Sequence, residues 1–326
     1  MEERKNGIAV AGTVIVDKIN EISAYPAVGE LTQIKSLQTA IGGCVPNVAL
    51  DLKKISPELA VRAIGRMGND EEAAFVRQTL EAGGVDTAGL HEASGERTSF
   101  TEVMSIPGGQ RTFFTYAGAG GNFGLEDMDY GDTLPKMLHL GYFLLLQKVD
   151  DGDGLKILKD AKEKGIRTSI DLVSENSDRY SLVLPCLPYT DCLIVNELEA
   201  GKLAGISPEN GNLPAIAQKL RELGVREKVI IHKPDLSLCL SDRGLTVVPS
   251  YQLPEGYIKG TTGAGDAFCA GALLGIYEGW EDEEILSFAS GCAVMALGSF
   301  DATSGLAEAS RIREFCGQFT RQRSSV

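Results

Sequence analysis

The stretch Thr261-Thr262-Gly263-Ala264-Gly265-Asp266-Ala267-Phe268-Cys269-Ala270 decides how the rest of this chain is read. A turn almost without side chains runs directly into an apolar helical run, Ala267 to Trp280, with one carboxylate, Asp266, where the helix begins. The first N–H groups of a helix lack intrahelical acceptors and lie at the positive end of its dipole, so such a turn takes phosphate readily. Glycine and alanine let a phosphate approach the backbone closely. A carboxylate repels phosphate. Its better use here is to accept a proton from an attacking hydroxyl in phosphoryl transfer, where positioning and charge stabilisation do most of the catalysis. Without context, the same letters also describe an ordinary glycine turn with an acid near a helix start.

Two further motifs supply context: Gly42-Gly43-Cys44-Val45-Pro46-Asn47 near the N-terminus and Asn196-Glu197-Leu198-Glu199 in the second half. In this order and spacing the three motifs resemble those of the ribokinase-like (PfkB-type) carbohydrate kinases, and the resemblance runs over essentially the whole chain. It implies an α/β fold, a doubly wound and mostly parallel sheet flanked by helices, with a small β lid. It also implies ATP-dependent transfer of the γ-phosphoryl group to a hydroxyl of a sugar, polyol or similar small molecule, assisted by Mg2+. Within that resemblance Asp266 is the base, and the backbone of Gly263, Ala264 and Gly265 holds the transferring phosphoryl group, with Thr262 on the nucleotide side. Asp17, Gly42, Gly43 and Asn47 become the substrate-binding set. Asn196 and Glu199 act on magnesium, mainly through water. From residue type alone Asp17 is equally a solvated strand end, Asn47 a satisfied helix residue, and Asn196 with Glu199 a plain helix start.

Composition narrows the class. The chain has 326 residues, 43% of them hydrophobic, enough for one large α/β domain with a sizeable core. A formal charge of −14 argues against nucleic acid or an anionic membrane surface as partner. Three unclustered histidines argue against a His-ligated metal. Seven cysteines without a Cys-x-x-Cys pair suit reduced thiols in a cytoplasmic protein, several of them as small buried hydrophobes. The apolar run Gly7 to Val16 ends at Asp17-Lys18 without a cleavage pattern, and reads as a first strand rather than a signal. No stretch approaches the roughly 18 apolar residues that span a bilayer.

Apolar β-branched runs alternate with helical patterns, which predicts parallel strands joined by crossover helices. Strands are expected at Ile8–Val16, Ala60–Ile64, Leu138–Leu146, Ile166–Leu172, Cys192–Val195, Val229–His232 and Leu236–Leu240. Two regions, about 18–40 and 98–117, are polar and extended instead. The second reads as a hairpin around Pro107-Gly108-Gly109. The expected organisation is a single kinase domain over 1–326 with a discontinuous lid from these two segments, a homodimer contact in many members of the resembled family.

Other residues carry open readings. Arg111 reaches a substrate from the lid or is an exposed edge-strand arginine. Lys148 lies near where the resemblance to ribokinase-like proteins implies a substrate-contacting residue. Lys233 touches ATP phosphate or is solvated. The run His232-Lys233-Pro234 stands where the family often has Thr-x-Gly, and Gly260 where it often has Asp, which removes a charge expected beside a monovalent cation. Two alternatives therefore accompany the sugar kinase: a nucleoside kinase of the same fold, favoured by the lid aromatics Tyr25, Phe113 and Tyr116, and a catalytically weak ligand-binding protein. No P-loop motif is present, and Gly118-Ala119-Gly120-Gly121 lacks the dinucleotide spacing.

Overall fold

Ile8-Ala9-Val10-Ala11-Gly12 is buried at every residue, the mark of a strand covered on both faces of a parallel sheet. Its side chains alternate: Ile8 and Val10 belong to one hydrophobic core, Ala9 and Ala11 to a second on the opposite face. In the computed structural model, which describes residues 5–106, 111–209, 211–299 and 301–323, this strand organises everything else. The chain opens with β1 (Ile8–Gly12), β2 (Ile15–Ile22), β3 (Ile34–Gly42), α1 (Cys44–Ile55), β4 (Val61–Gly68), α2 (Glu71–Ala82) and β5 (Asp86–Ala93). Its middle contains β6 (Ser99–Ser105), β7 (Arg111–Tyr116), β8 (Met137–Phe143), α3 (Gly154–Glu163), β9 (Arg167–Leu172), β10 (Cys192–Asn196) and α4 (Glu197–Ala204). There follow α5 (Leu213–Glu222), β11 (Lys228–His232), β12 (Leu236–Ser241), β13 (Gly244–Pro249), α6 (Ala264–Glu278), α7 (Asp282–Leu297) and α8 (Ala309–Cys316).

The main sheet has nine strands in the order β13-β12-β11-β10-β9-β8-β1-β4-β5. All neighbours are parallel except β11–β12 and β12–β13, which add an antiparallel edge. From β1 the chain moves to β4 and β5 on one side, then returns through β8 to β9 and β10 on the other. The order reverses between β1 and β8, and ligands of such sheets bind beyond the carboxyl ends of the strands at this switch point.

The helix after the glycine turn is buried over most of its length and packs against α1 and α7. Gly271 permits the α6–α7 approach: a Cβ there would sit 2.8 Å from Cys292 Sγ and 2.9 Å from Ala289 Cα. A helix apolar all round is a core helix, so the turn before it is anchored from within.

A second sheet has four strands in the order β3-β2-β6-β7. It departs from β1 after only Thr13 and Val14, because Gly12, at φ 134, breaks the apolar run that reads as one strand from Ile8 to Val16. Asp17 is therefore not at the end of the first strand but is the third residue of β2. β6 and β7 pair antiparallel from Phe100↔Tyr116 to Ser105↔Arg111. The expected turn Pro107-Gly108-Gly109 lies outside the described residues. The edge strands β5 and β13 have no counterpart among the expected elements, while α4 begins at the helix start that Asn196 and Glu199 suggest. Gly118–Asn122, read as a glycine-rich loop, forms a 3-10 turn.

Candidate active site

The turn Thr261–Gly263 holds φ 77 at Gly263, where only glycine fits without strain and where a Cβ would meet Ala302 Cα at 2.4 Å. A Cβ on Gly265 would meet nothing within 4 Å, so the helix start opens into free space. The N–H groups of this first turn have no intrahelical acceptors, and an anion placed there meets them directly. The cradle fits a phosphoryl group.

Asp266 stands in that first turn, 5% exposed. Its Oδ2 accepts from Asn47 Nδ2 at 2.8 Å. Tyr142 Oη donates to Oδ1 at 2.9 Å and lies 3.1 Å from Oδ2. Burial raises the carboxyl to about 7; the charges of Asp171 and Asp17 add to the rise, while Asn47 and Tyr142 oppose it. Such a group changes protonation near neutral pH, as a general base must.

Tyr142 is at the switch point, at the carboxyl end of β8, with φ 60, a backbone region uncommon for a non-glycine residue. Its N–H donates to Asp171 Oδ1 at 2.6 Å. The carboxylate of β9 thus holds the Tyr142 backbone while its phenol holds Asp266. Motif reading missed Tyr142 and Asp171. For Asp171 the signal available was its position near the end of the expected strand Ile166–Leu172; Tyr142 fell inside the expected strand Leu138–Leu146 and had none.

Asn47, on the first turns of α1, is 4% exposed and turned to Asp266, so it positions the acid rather than facing open space. Its Oδ1 and both carboxyl oxygens of Asp51, one turn further on, are buried without a partner. Burial, then the nearby Asp266, pushes the Asp51 carboxyl well above the usual range, which favours its neutral form.

Two cavities adjoin the turn. The larger, about 780 Å³, lies under the lid sheet and is lined by Asp17, Gln38, Arg111, Phe113, Lys259 and Thr262, among others. Asp17 lies against Gly42, where a Cβ would come within 2.6 Å of its Oδ2. Burial raises Asp17 to about 6. Gly43, at φ 85, brings the start of α1 against Thr13, whose Oγ1 accepts from Cys44 N at 3.0 Å. Arg111 crosses from the lid and donates to Thr262 Oγ1 at 2.8 Å, so it reaches the glycine turn.

The smaller cavity, about 210 Å³, is lined by Asn196, Glu199, Ser174, His232, Gly263, Gly265 and Asp266, with neighbours. Here Asn196 and Glu199 form a capping box at α4: Asn196 Oδ1 accepts from the N–H of Leu198 and Glu199, each at 2.9 Å, and Glu199 Oε2 accepts from Asn196 N at 3.0 Å. Ser174 Oγ donates to Glu199 Oε1 at 2.7 Å. Burial raises Glu199 to about 7. A carboxylate oxygen that accepts one bond keeps a second lone pair, so Glu199 fits contact with magnesium-bound water. His232 is pushed down to about 4 by burial and packs on Phe268, centroids 4.5 Å apart.

The remaining expected contacts lie apart from both cavities. Lys233 pairs with Asp235 at 3.0 Å, and Lys148 pairs with Glu126. Asp301, by contrast, lines the larger cavity and accepts from the N–H of Thr303 and Ser304 at 3.1 and 2.6 Å, so it is used by its own loop. No helix among the described residues is long and apolar enough to cross a membrane.

A doubly wound sheet with a lid sheet above its switch point, and a buried acid behind a phosphate-sized turn, defines a small-molecule phosphotransferase. The sequence model of the pfkB family carbohydrate kinases matches residues 7–309, and the chain belongs to that family. It is 27% identical over 297 residues to a ribokinase of Arabidopsis thaliana, covering 89% of this chain and 76% of that protein. Adenosine kinase of Saccharomyces cerevisiae is 24% identical over 294 residues, covering 87% and 85%. The structure of Arabidopsis thaliana ribokinase complexed with ribose and ATP superposes with a TM-score of 0.81 at 21% identity, covering 96% of this chain and 99% of that one. The chain is thus a kinase with the ribokinase fold.

Proposed function

We propose that this protein transfers the γ-phosphoryl group of ATP to a hydroxyl of a sugar or sugar-like molecule, with Asp266 as base. The observation that carries the reading is the position of Asp266: buried, raised to about 7, and on the wall of the smaller cavity beside Gly265, while Thr262 of the same turn lines the larger. The acceptor occupies the cavity under the lid, where Asp17 accepts from its hydroxyls and the bare Gly42–Gly43 backbone lets the ring approach. The N–H groups of Gly263–Gly265 hold the transferring phosphoryl group, with Thr262 beside them. Arg111, already on Thr262, holds the lid to the turn. Asp266 takes the hydroxyl proton as the new O–P bond forms, and Asn47 and Tyr142 keep its carboxylate aimed. Glu199 and Asn196 would hold a magnesium ion, mainly through water, and the ion when bound would neutralise phosphate charge. The lid sheet, inserted between β1 and α1 and again between β5 and β8, covers the acceptor and offers its outer face to a second copy.

A nucleoside acceptor is the second reading, favoured by Phe113 on the cavity wall and by the likeness to adenosine kinase. A coupled ADP-release screen over pentoses, hexoses, sugar acids, polyols and nucleosides separates the two. Turnover with a sugar or polyol is expected. Turnover confined to nucleosides selects the second reading, and none with any acceptor contradicts both.

A further inference from the structure

We propose that Cys44, His139, Asp171 and Cys269 form a buried site for a thiophilic divalent cation, with zinc the natural occupant. Four separate elements bring them together: the first residue of α1, the middle of β8, the end of β9, and α6 one turn beyond Asp266. Each is 7% exposed or less. One donor atom each from Cys44, His139 and Asp171 lie within 4.8 Å of one another. His139 Nε2 is 3.5 Å from Cys269 Sγ and 3.5 Å from Asp171 Oδ2. Zinc–sulfur bonds of about 2.3 Å and zinc–nitrogen or –oxygen bonds of about 2.0–2.2 Å put tetrahedral donors roughly 3.3–3.8 Å apart. Two edges already have that length, and the Cys44 edges to His139 and Asp171 lie within 4.8 Å; Cys269, held against His139, moves in toward Cys44 and Asp171 to complete the tetrahedron.

Three further features fit a metal. His139 Nδ1 lies 3.2 Å from Ser169 Oγ, so its N–H has a partner when Nε2 binds a cation, the outer-sphere arrangement that orients histidine ligands. Gly141 leaves the space, since a Cβ there would sit 1.9 Å from Cys44 Sγ. An entry path exists because Asp171 and Cys269 line the smaller cavity. Burial and then the charge of Asp171 push both thiols up, and a divalent cation offsets both effects. Each thiol proton passes to solvent as its metal–sulfur bond forms. Two sulfurs with one imidazole select zinc over magnesium. Asp171 also holds Tyr142, so occupancy bears on the proposed base; the binding itself stands independently of that reading.

The test titrates the reduced, chelator-washed full chain with ZnCl2 against a chromogenic chelator, and uses Co2+ as a spectroscopic probe. Expected are one tight equivalent per chain and a tetrahedral Co2+ spectrum with sulfur-to-metal charge transfer. Cys44→Ser and Cys269→Ser should each weaken binding at least about 100-fold, with Cys186→Ser, a buried thiol elsewhere, unchanged. The wild-type Co2+ spectrum tests the site without any variant. No competition with the chelator, a Co2+ spectrum without thiolate bands, or unchanged affinity in the double Cys44→Ser/Cys269→Ser chain overturns the proposal.

Discussion

At the scale of single residues, Asp266 is tuned by what surrounds it. Its carboxyl, raised to about 7 by burial, must be ionised to act as base, so kcat/KM should fall as pH drops below about 7. Asn47 and Tyr142 donate to the ionised form and hold that pKa down. Removing either donor disfavours the carboxylate. Asn47→Ala and Tyr142→Phe should each move the acid limb of the kcat/KM profile up by about one pH unit, the size of one hydrogen bond to a charged group. A limb that stays in place would separate these residues from the base. Asp266 was legible in the sequence because everything that makes it distinctive is local: a glycine turn, an acid, an apolar helix. Tyr142 was not. Its importance depends on β8 lying beside β1 and on a positive φ, and neither leaves a mark in the letters Leu140-Gly141-Tyr142-Phe143. The thiol–imidazole cluster was equally hidden, because its four members lie at positions 44, 139, 171 and 269 and meet only through the fold.

At the scale of elements, α4 shows how one pattern serves two purposes. Asn-x-x-Glu is a capping box by geometry and a magnesium motif by resemblance, and spacing alone could not choose. The structure realises the cap, while Glu199 still borders the cavity. The two roles come apart by mutation. Asn196→Ala deletes the acceptor for two backbone N–H groups and should cost about 1 kcal/mol in urea unfolding. Glu199→Gln keeps an acceptor for the Asn196 N–H and can donate to the Ser174 hydroxyl while removing charge, so it should leave stability nearly unchanged and raise the magnesium needed for half-maximal turnover about tenfold. An unchanged magnesium titration would leave Glu199 as a cap only. The boundary between β1 and β2 was the element-level error. Val14, Ile15 and Val16 are as apolar as a central strand requires, yet Gly12 turns the chain there into the lid sheet. Periodicity reports burial and does not say which sheet provides it.

At the scale of the whole molecule, alternation of apolar strands and helices was enough for the parallel sheet, because buried strands read as continuous apolar runs. The lid was legible only as two polar, extended stretches. Its side chains now sort by face: Ser36 and Phe113 line the cavity, while Leu37, Phe114 and Tyr116 alternate with them and point away. Leu37 is 73% and Phe114 59% exposed, so the outer face carries an apolar side chain on each edge strand, with Lys18, Asn20 and Glu102 between them. Pairing of two lids would cover it. Sedimentation should find a dimer that Leu37→Asp with Phe114→Asp converts to monomer with the fold retained; a wild-type monomer at all concentrations would contradict lid pairing. The central claim, that a lid-covered hydroxyl is phosphorylated with Asp266 as base, is tested most directly by Asp266→Asn. That change keeps the shape and removes the proton acceptor. In the coupled ADP-release assay, with the acceptor that supports turnover, kcat should fall at least ~10²-fold while acceptor binding by calorimetry stays close to wild type. A variant that turns over at near wild-type kcat would contradict the account.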